Sequence, residues 1–221
     1  MYSVLITGAS RGIGKAICGK FIREGYRVIA PARAQLDLSV PASIDNFIRE
    51  NKDVPVDAIV NCAGINPIAN IEDIEDSDFD KTMQVNVKAP LKLIQGFVGG
   101  MKSRGYGRIV NIGSIWGVVS KEGRTSYSVS KNGIHGISNT LAVELGKNNI
   151  LVNSVCPGFT NTELTLQNIS GIEAAELYKQ IPLGRFAEPS EIAELVFFLC
   201  SDKNTYITGQ KIVIDGGFVT R

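Results

Sequence analysis

Tyr127 and Lys131 stand four residues apart in the stretch Tyr127-Ser128-Val129-Ser130-Lys131. On a helix, residues at that spacing lie one turn above each other on the same face, which makes a phenol and an ammonium neighbours. A free tyrosine titrates near ~10, too high to trade a proton readily at neutral pH. A fixed positive charge within a few ångströms favours the phenolate and draws the group toward the range of a general acid or base. Such a pair also occurs on ordinary helix surfaces, so its meaning depends on company. The company here is Ser114, just after a β-rich run, and a glycine-rich turn near the N-terminus.

That turn reads Gly8-Ala9-Ser10-Arg11-Gly12-Ile13-Gly14. It follows an apolar run over residues 3–6 and opens a segment with helical spacing at Ile13, Ile17, Phe21 and Ile22. Glycines at such a strand-to-helix junction let the backbone tighten and let its N–H groups approach a pyrophosphate at the helix N-terminus. The expectation is dinucleotide binding, although three residues rather than one separate the first two glycines. The tip of the second strand reads Ala30-Pro31-Ala32-Arg33, with no carboxylate for ribose hydroxyls. Arg33, with Arg11, offers cations where a 2′-phosphate would sit, which predicts NADPH (NADP+) over NADH.

The elements that must position these residues alternate along the chain. Strands are predicted at residues 3–6, 26–30, 35–38, 58–61, 108–114, 150–155 and 211–214. Helices are predicted after the glycine turn and over residues 43–50, 73–99, 126–145 and 188–200. Pro90 should disturb the long 73–99 stretch. This alternation predicts an α/β, Rossmann-like doubly wound parallel sheet of about seven strands, with helices on both faces. The link between the second and third strands is too short for a crossover helix. Residues 160–184 read as irregular to helical and are a candidate lid.

With 221 residues, 44% hydrophobic and 20% charged, the chain fits a single α/β domain over residues 1–221 that buries a sizeable core. A net charge of +1 supplies no bulk field for nucleic acid or an anionic membrane, and neither partner is expected. The densest late apolar run, residues 195–200, is far short of the ~20 needed to cross a bilayer. The N-terminal segment lacks the pattern of a secretory leader, so a cytoplasmic protein is expected. Cys18, Cys62, Cys156 and Cys200 are scattered without metal or redox spacing and read as small buried hydrophobes, and no metal site is expected. His135, the only histidine, reads as a packing or surface residue.

Taken together, these features make the chain resemble the classical short-chain dehydrogenases/reductases, specifically the 3-oxoacyl-[acyl-carrier-protein] reductase branch, over residues 4–217. The marks are Thr7-Gly8-Ala9-Ser10-Arg11-Gly12-Ile13-Gly14, Asn61-Cys62-Ala63-Gly64, Asn86, Ser114, Tyr127 with Lys131, and Pro157-Gly158 followed by Thr162. The resemblance implies that Tyr127 donates the proton, Ser114 holds the substrate carbonyl, Lys131 contacts the nicotinamide ribose and Asn86 anchors a relay water. It further implies that Gly8, Ser10, Arg11, Ile13 and Gly14 line the pyrophosphate and adenosine end. Asp37 and Leu38 would contact adenine, and Asn61, Ala63 and Gly64 would line the cofactor's middle. Pro157, Gly158 and Thr162 would hold the carboxamide end.

The chain departs from the family at Cys62, where a second asparagine is common, and at Asn148, where carrier-protein reductases tend to carry a base. Lys102, Arg104 and Arg108 offer an alternative basic patch. The implied activity is NADPH-dependent reduction of a ketone, a 3-oxoacyl thioester first, with acyl-carrier protein as a candidate partner. A sugar-derived or other small carbonyl compound is the alternative substrate, and a catalytically idle dinucleotide binder the remaining reading. Specificity is expected from residues 115–124 and 160–184, while Met101 and Trp116 read first as core residues and only second as residues that face a ligand. Residues 78–101, 126–145 and 206–219 resemble subunit contacts of a homotetramer.

Overall fold

The apolar runs become β1 (Ser3–Thr7), β2 (Arg27–Ile29), β3 (Ala58–Asn61), β4 (Gly107–Ile112), β5 (Ile150–Pro157) and β6 (Lys211–Ile214). This computed structural model describes residues 1–163, 165 and 171–220. The strands form one parallel sheet in the order β2-β1-β3-β4-β5-β6. Both faces are covered, which is why β1, β3, β4 and β5 are buried at every position.

Helices α1 (Gly12–Arg23) and α7 (Pro189–Cys200) pack together on one face. There Val4, Ile6, Val60, Val110 and Val155 meet Ile17, Phe21, Ile192, Val196 and Leu199. Helices α2 (Pro41–Glu50), α4 (Ala89–Arg104) and α5 (Thr125–Leu145) cover the other face. There Leu5, Ile59, Ile109 and Val152 meet Ile44, Phe47, Leu93, Phe97, Met101 and Leu145. The period-2 alternation of strand side chains sends Val4 and Ile6 one way and Leu5 the other. Two further helices, α3 (Asp76–Met83) and α6 (Gly171–Gln180), precede α4 and α7.

The strand expected at residues 35–38 does not form, so the sheet has six strands rather than about seven. A turn replaces it: the N–H groups of Gln35 and Leu36 both donate to the Ala32 carbonyl, at 2.9 and 3.0 Å. A parallel strand outside β2 would need a crossover of roughly a dozen residues, which this link cannot supply. β2 is therefore an edge of the sheet, while Leu36 and Leu38 still bury themselves against Ile44 and Phe47. An open cleft of ≈ 720 Å³ lies beside that edge, between Ile29–Gln35 and α2.

The long helix expected over residues 73–99 is broken into α3, a π-helical turn at Gln84–Lys88, and α4. Pro90, the second residue of α4, produces the expected disturbance in the form of this π turn just before it. Strand β4 stops at Ile112, so Ser114 stands beyond the sheet instead of ending it. Of the candidate lid, residues 164 and 166–170 lie outside the described residues. Among the described residues no helix is long and apolar enough to cross a membrane.

Candidate functional site

Because the sheet is parallel, β1, β3, β4 and β5 all release their loops at one edge, and the strand order reverses between β1 and β3. That crevice is where open α/β sheets take ligands. Gly8 (φ 73) sits so close to the β3 exit loop that a Cβ on it would lie 2.9 Å from the Ala63 N and Cα. A Cβ on Gly14 would run into the Gly8 carbonyl. Thr7 clasps the two loops, its Oγ1 accepting from the N–H groups of Cys62 (3.1 Å) and Ala63 (3.2 Å). On the other side, a Cβ on Gly12 would be 3.2 Å from Thr162 Cγ2. Gly158 is pressed against Asp215, where a Cβ would meet the Asp215 Cβ at 2.7 Å.

Gly8, Ser10, Arg11, Ile13, Gly14, Ala63, Gly64, Pro157, Gly158 and Thr162 thus collect at one edge of the sheet. No side chain caps the N-terminus of α1, and its first turn holds no acid. A tight glycine cradle with free N–H groups and no competing carboxylate fits a dinucleotide pyrophosphate.

Helix α5 presents Tyr127 and Lys131 on one side, as their spacing requires, with Lys131 Nζ 5.3 Å from the centre of the Tyr127 ring. Lys131 is buried and its Nζ donates to the Ile112 carbonyl at 2.8 Å, which ties α5 to the end of β4. Two residues on, Ser114 is extended (φ −168, ψ 158) and buried, its Oγ accepting from the Trp116 N–H at 3.2 Å. Asn86 lies buried in the π turn. Its side chain accepts from the Ile65 N–H and donates to the Ile65 carbonyl, both at 2.9 Å, and also donates to Ser130 Oγ at 3.0 Å. Ser130 Oγ in turn donates to the Tyr127 carbonyl at 2.7 Å. The α-helical donor to the Asn86 carbonyl would be residue 90, and Pro90 has no N–H to give. Gly64 closes the group: a Cβ there would be 3.2 Å from Asn86 Oδ1 and 3.5 Å from Lys131 Nζ.

Behind the Ser114 loop lies His135, only 5% exposed, its Nε2 3.5 Å from Cys156 Sγ. The ring occupies the space left by two glycines: a Cβ on Gly117 would be 2.8 Å from its Nε2, and one on Gly113 would clash with its Cε1. Burial, helped by Lys211 and Lys131, pushes the imidazole down to about 4, while burial pushes the Cys156 thiol up to about 11.

Other expected residues fall differently. Arg33 is exposed and its Nε donates to Asp37 Oδ2 at 3.0 Å, so the two form an ion pair. The Ser39 hydroxyl and N–H, then Arg33, hold the Asp37 carboxyl below its ordinary value. Leu38 offers its carbonyl to Gln84 Nε2 at 3.2 Å. Asn61 turns its side chain inward, donating to Asn111 Oδ1 at 2.8 Å, and stands at the end of β3 between Thr7 of β1 and Asn111 of β4. Met101 belongs to the core, the first of the two readings its type suggested. The basic patch of Lys102, Arg104 and Arg108 is not one: Arg108 is buried and Arg104 is paired with Asp57 at 3.2 Å. Sequence reasoning missed Thr7, Ile65 and Ser130 as positioning groups. Ser130, inside the Tyr127–Lys131 segment, was the one with a signal, a polar residue on the buried face of an amphipathic helix.

The model described as enoyl-(acyl carrier protein) reductase matches residues 30–219, and the one described as short chain dehydrogenase matches residues 2–46. The 3-oxoacyl-[acyl-carrier-protein] reductase of Thermotoga maritima is 37% identical over 238 residues, covering 97% of this chain and 96% of that protein. The acetoacetyl-CoA reductase of Rhizobium meliloti is 35% identical over 232 residues, covering 96% of each. Among solved structures, 4-hydroxyisoleucine dehydrogenase complexed with NADH superposes with a TM-score of 0.95 at 30% identity over 100% of both chains. A Beutenbergia cavernae protein assigned as an NAD(P) dependent gluconate 5-dehydrogenase, with NADP bound at low occupancy, gives 0.93 at 29% identity, covering 100% of this chain and 97% of that one. With that sheet order, that glycine cradle and these relatives, the chain belongs to the short-chain dehydrogenases/reductases and is an oxidoreductase.

Proposed function

We propose that the chain reduces a ketone to a secondary alcohol with NADPH, a 3-oxoacyl thioester being the leading substrate. The observation that carries this reading is the Lys131 ammonium lying beside the Tyr127 ring at the sheet edge that holds Ser114 and the glycine cradle. The reading places the pyrophosphate at Gly8, Ser10, Arg11, Ile13 and Gly14, the adenine at Asp37 and Leu38, and the 2′-phosphate at Arg33 and Arg11. The backbone of Asn61, Ala63 and Gly64, with Pro157, Gly158 and Thr162, holds the remainder. Bound NADPH supplies a hydride to the carbonyl carbon.

As negative charge builds on the carbonyl oxygen, the Ser114 and Tyr127 hydroxyls donate hydrogen bonds to it, and Tyr127 hands over its proton. Lys131 places positive charge next to the phenol that is left anionic. Asn86, held in the π turn, anchors a water that restores the proton.

The 3-oxoacyl preference rests on the reductase relatives, while 4-hydroxyisoleucine dehydrogenase and the gluconate 5-dehydrogenase favour a small polar carbonyl compound as the second reading. One cytoplasmic catalytic domain, assembled as a homotetramer and able to meet an acyl-carrier protein, completes the proposal.

The test is NADPH oxidation followed by absorbance over a panel of ketones. Wild type should turn over faster with NADPH than with NADH, and Tyr127→Phe should lose at least ~10²-fold in kcat, the scale of a general acid, with cofactor binding retained. Near-full activity of Tyr127→Phe would remove the residue from its role, and silence on every ketone with cofactor bound would favour an idle binder.

A further inference from the structure

Of the lysines and arginines that are not exposed among the described residues, Lys20 pairs with Glu24 and Glu194. Lys131 and Arg108 donate to backbone carbonyls. Arg124 is the exception. It sits just before the first turn of α5 (φ −112, ψ 13), its side chain caps nothing, and no described residue forms a hydrogen bond or ion pair with its guanidinium. Burial lowers its pKa, and the titratable group that acts on it in the opposite direction is the Tyr127 phenol. A guanidinium carries five N–H donors, and holding it partly out of water without a partner is costly. The first turn of α5 contains no acid that could compete for it.

Residues three apart across a helical turn are neighbours, with Cβ atoms about 5–6 Å apart. Arg124 stands at the N-cap of α5, three residues before Tyr127, and the phenol acts electrostatically on its guanidinium, so a group that Arg124 binds lies on the Tyr127 side of the helix N-terminus. The cofactor's phosphates belong to α1, a different element. We infer that Arg124 selects substrates carrying a carboxylate or other oxyanion a few bonds from the reacting carbon, gripping it in the two-pronged way a guanidinium grips such groups. The inference rests on Tyr127 being the proton donor, and within that reading it favours the small polar carbonyl compound over the 3-oxoacyl thioester, whose group at that position is neutral.

Three substrates separate the sources of such an anion: acetoacetate, its neutral ethyl ester, and acetoacetyl-CoA. Wild type should prefer acetoacetate to the ester in kcat/KM. Arg124→Met should cut that preference at least ~30-fold, the scale of a charge-assisted hydrogen bond, chiefly through KM. A loss confined to acetoacetyl-CoA would assign the oxyanion to the nucleotide's phosphates instead. Equal changes on all three substrates, or none, would overturn the inference.

Calorimetry with succinate on the NADPH-loaded protein decides the matter apart from turnover. Binding that Arg124→Met abolishes supports the anion site, and binding indifferent to the substitution refutes it. If no ketone is reduced while succinate still binds through Arg124, the reductase reading fails and the anion site stands.

Discussion

His135 lies one helical turn past Lys131 and supports, from behind, the loop that carries Ser114. An unfolded histidine titrates near ~6.5, whereas in the fold burial holds this one down at about 4. The folded value is the depressed one, so on acidification the unfolded chain takes up the proton first. The stabilisation from a neutral His135 is complete above pH ~6.5 and is lost as the pH falls toward 4. Between pH 7 and 4.5 this group should cost the wild type on the order of 2–3 kcal/mol, and His135→Leu should lose that much less. Urea denaturation of both proteins at the two pH values checks it, and parallel losses would show that the imidazole is not the group responsible. At this scale the Tyr127–Lys131 pairing was legible because helical spacing alone fixes it. The inward turn of Asn61 was not, since it depends on Asn111 of β4, which in turn donates to Ser138 of α5, and both are far from Asn61 in sequence.

Among the elements, α1 depends most on its first turn. The close approach of Gly14 to the Gly8 carbonyl and of Gly8 to Ala63 holds β1, α1 and the β3 exit loop in one cradle. Gly14→Ala should force the turn open, destabilising the protein by about 1–3 kcal/mol, as overpacking does, and weakening NADPH binding at least ~10-fold. Thermal denaturation and a fluorescence titration of NADPH read the two effects, and a variant that binds as wild type would show that the cradle has slack. The strand–turn–helix pattern here was readable from Ile6 to Phe21 because glycine placement and apolar period agree. The segment at residues 35–38 misled because its alternating leucines suit a strand, yet those leucines bury themselves from a turn, and pairing beyond β2 had no crossover to deliver it. Likewise Pro90 announced a break, while the form of the break depended on Asn86 being gripped by Ile65 and Ser130.

For the molecule as a whole, α4 and α5 leave an open groove of ≈ 480 Å³ lined by Leu91, Ile94, Val98, Ile137 and Leu141. Val143 on α5 is 85% exposed and Tyr206 in the C-terminal segment 94%. In the proposed homotetramer, neighbouring subunits would cover these apolar side chains. Multi-angle light scattering should give about four times the 23.8 kDa chain mass. A mass of one chain would reject the assembly, and two would leave only one of its interfaces. The short link after β2 has a consequence of its own. Without an outer strand, the border of the sheet passes to a three-residue strand that carries the exposed Arg27 and is followed closely by Pro31. A border so brief, charged and proline-flanked is a poor template for a stray strand from another molecule, so the chain can do without the outermost strand and still resist zippering into aggregates.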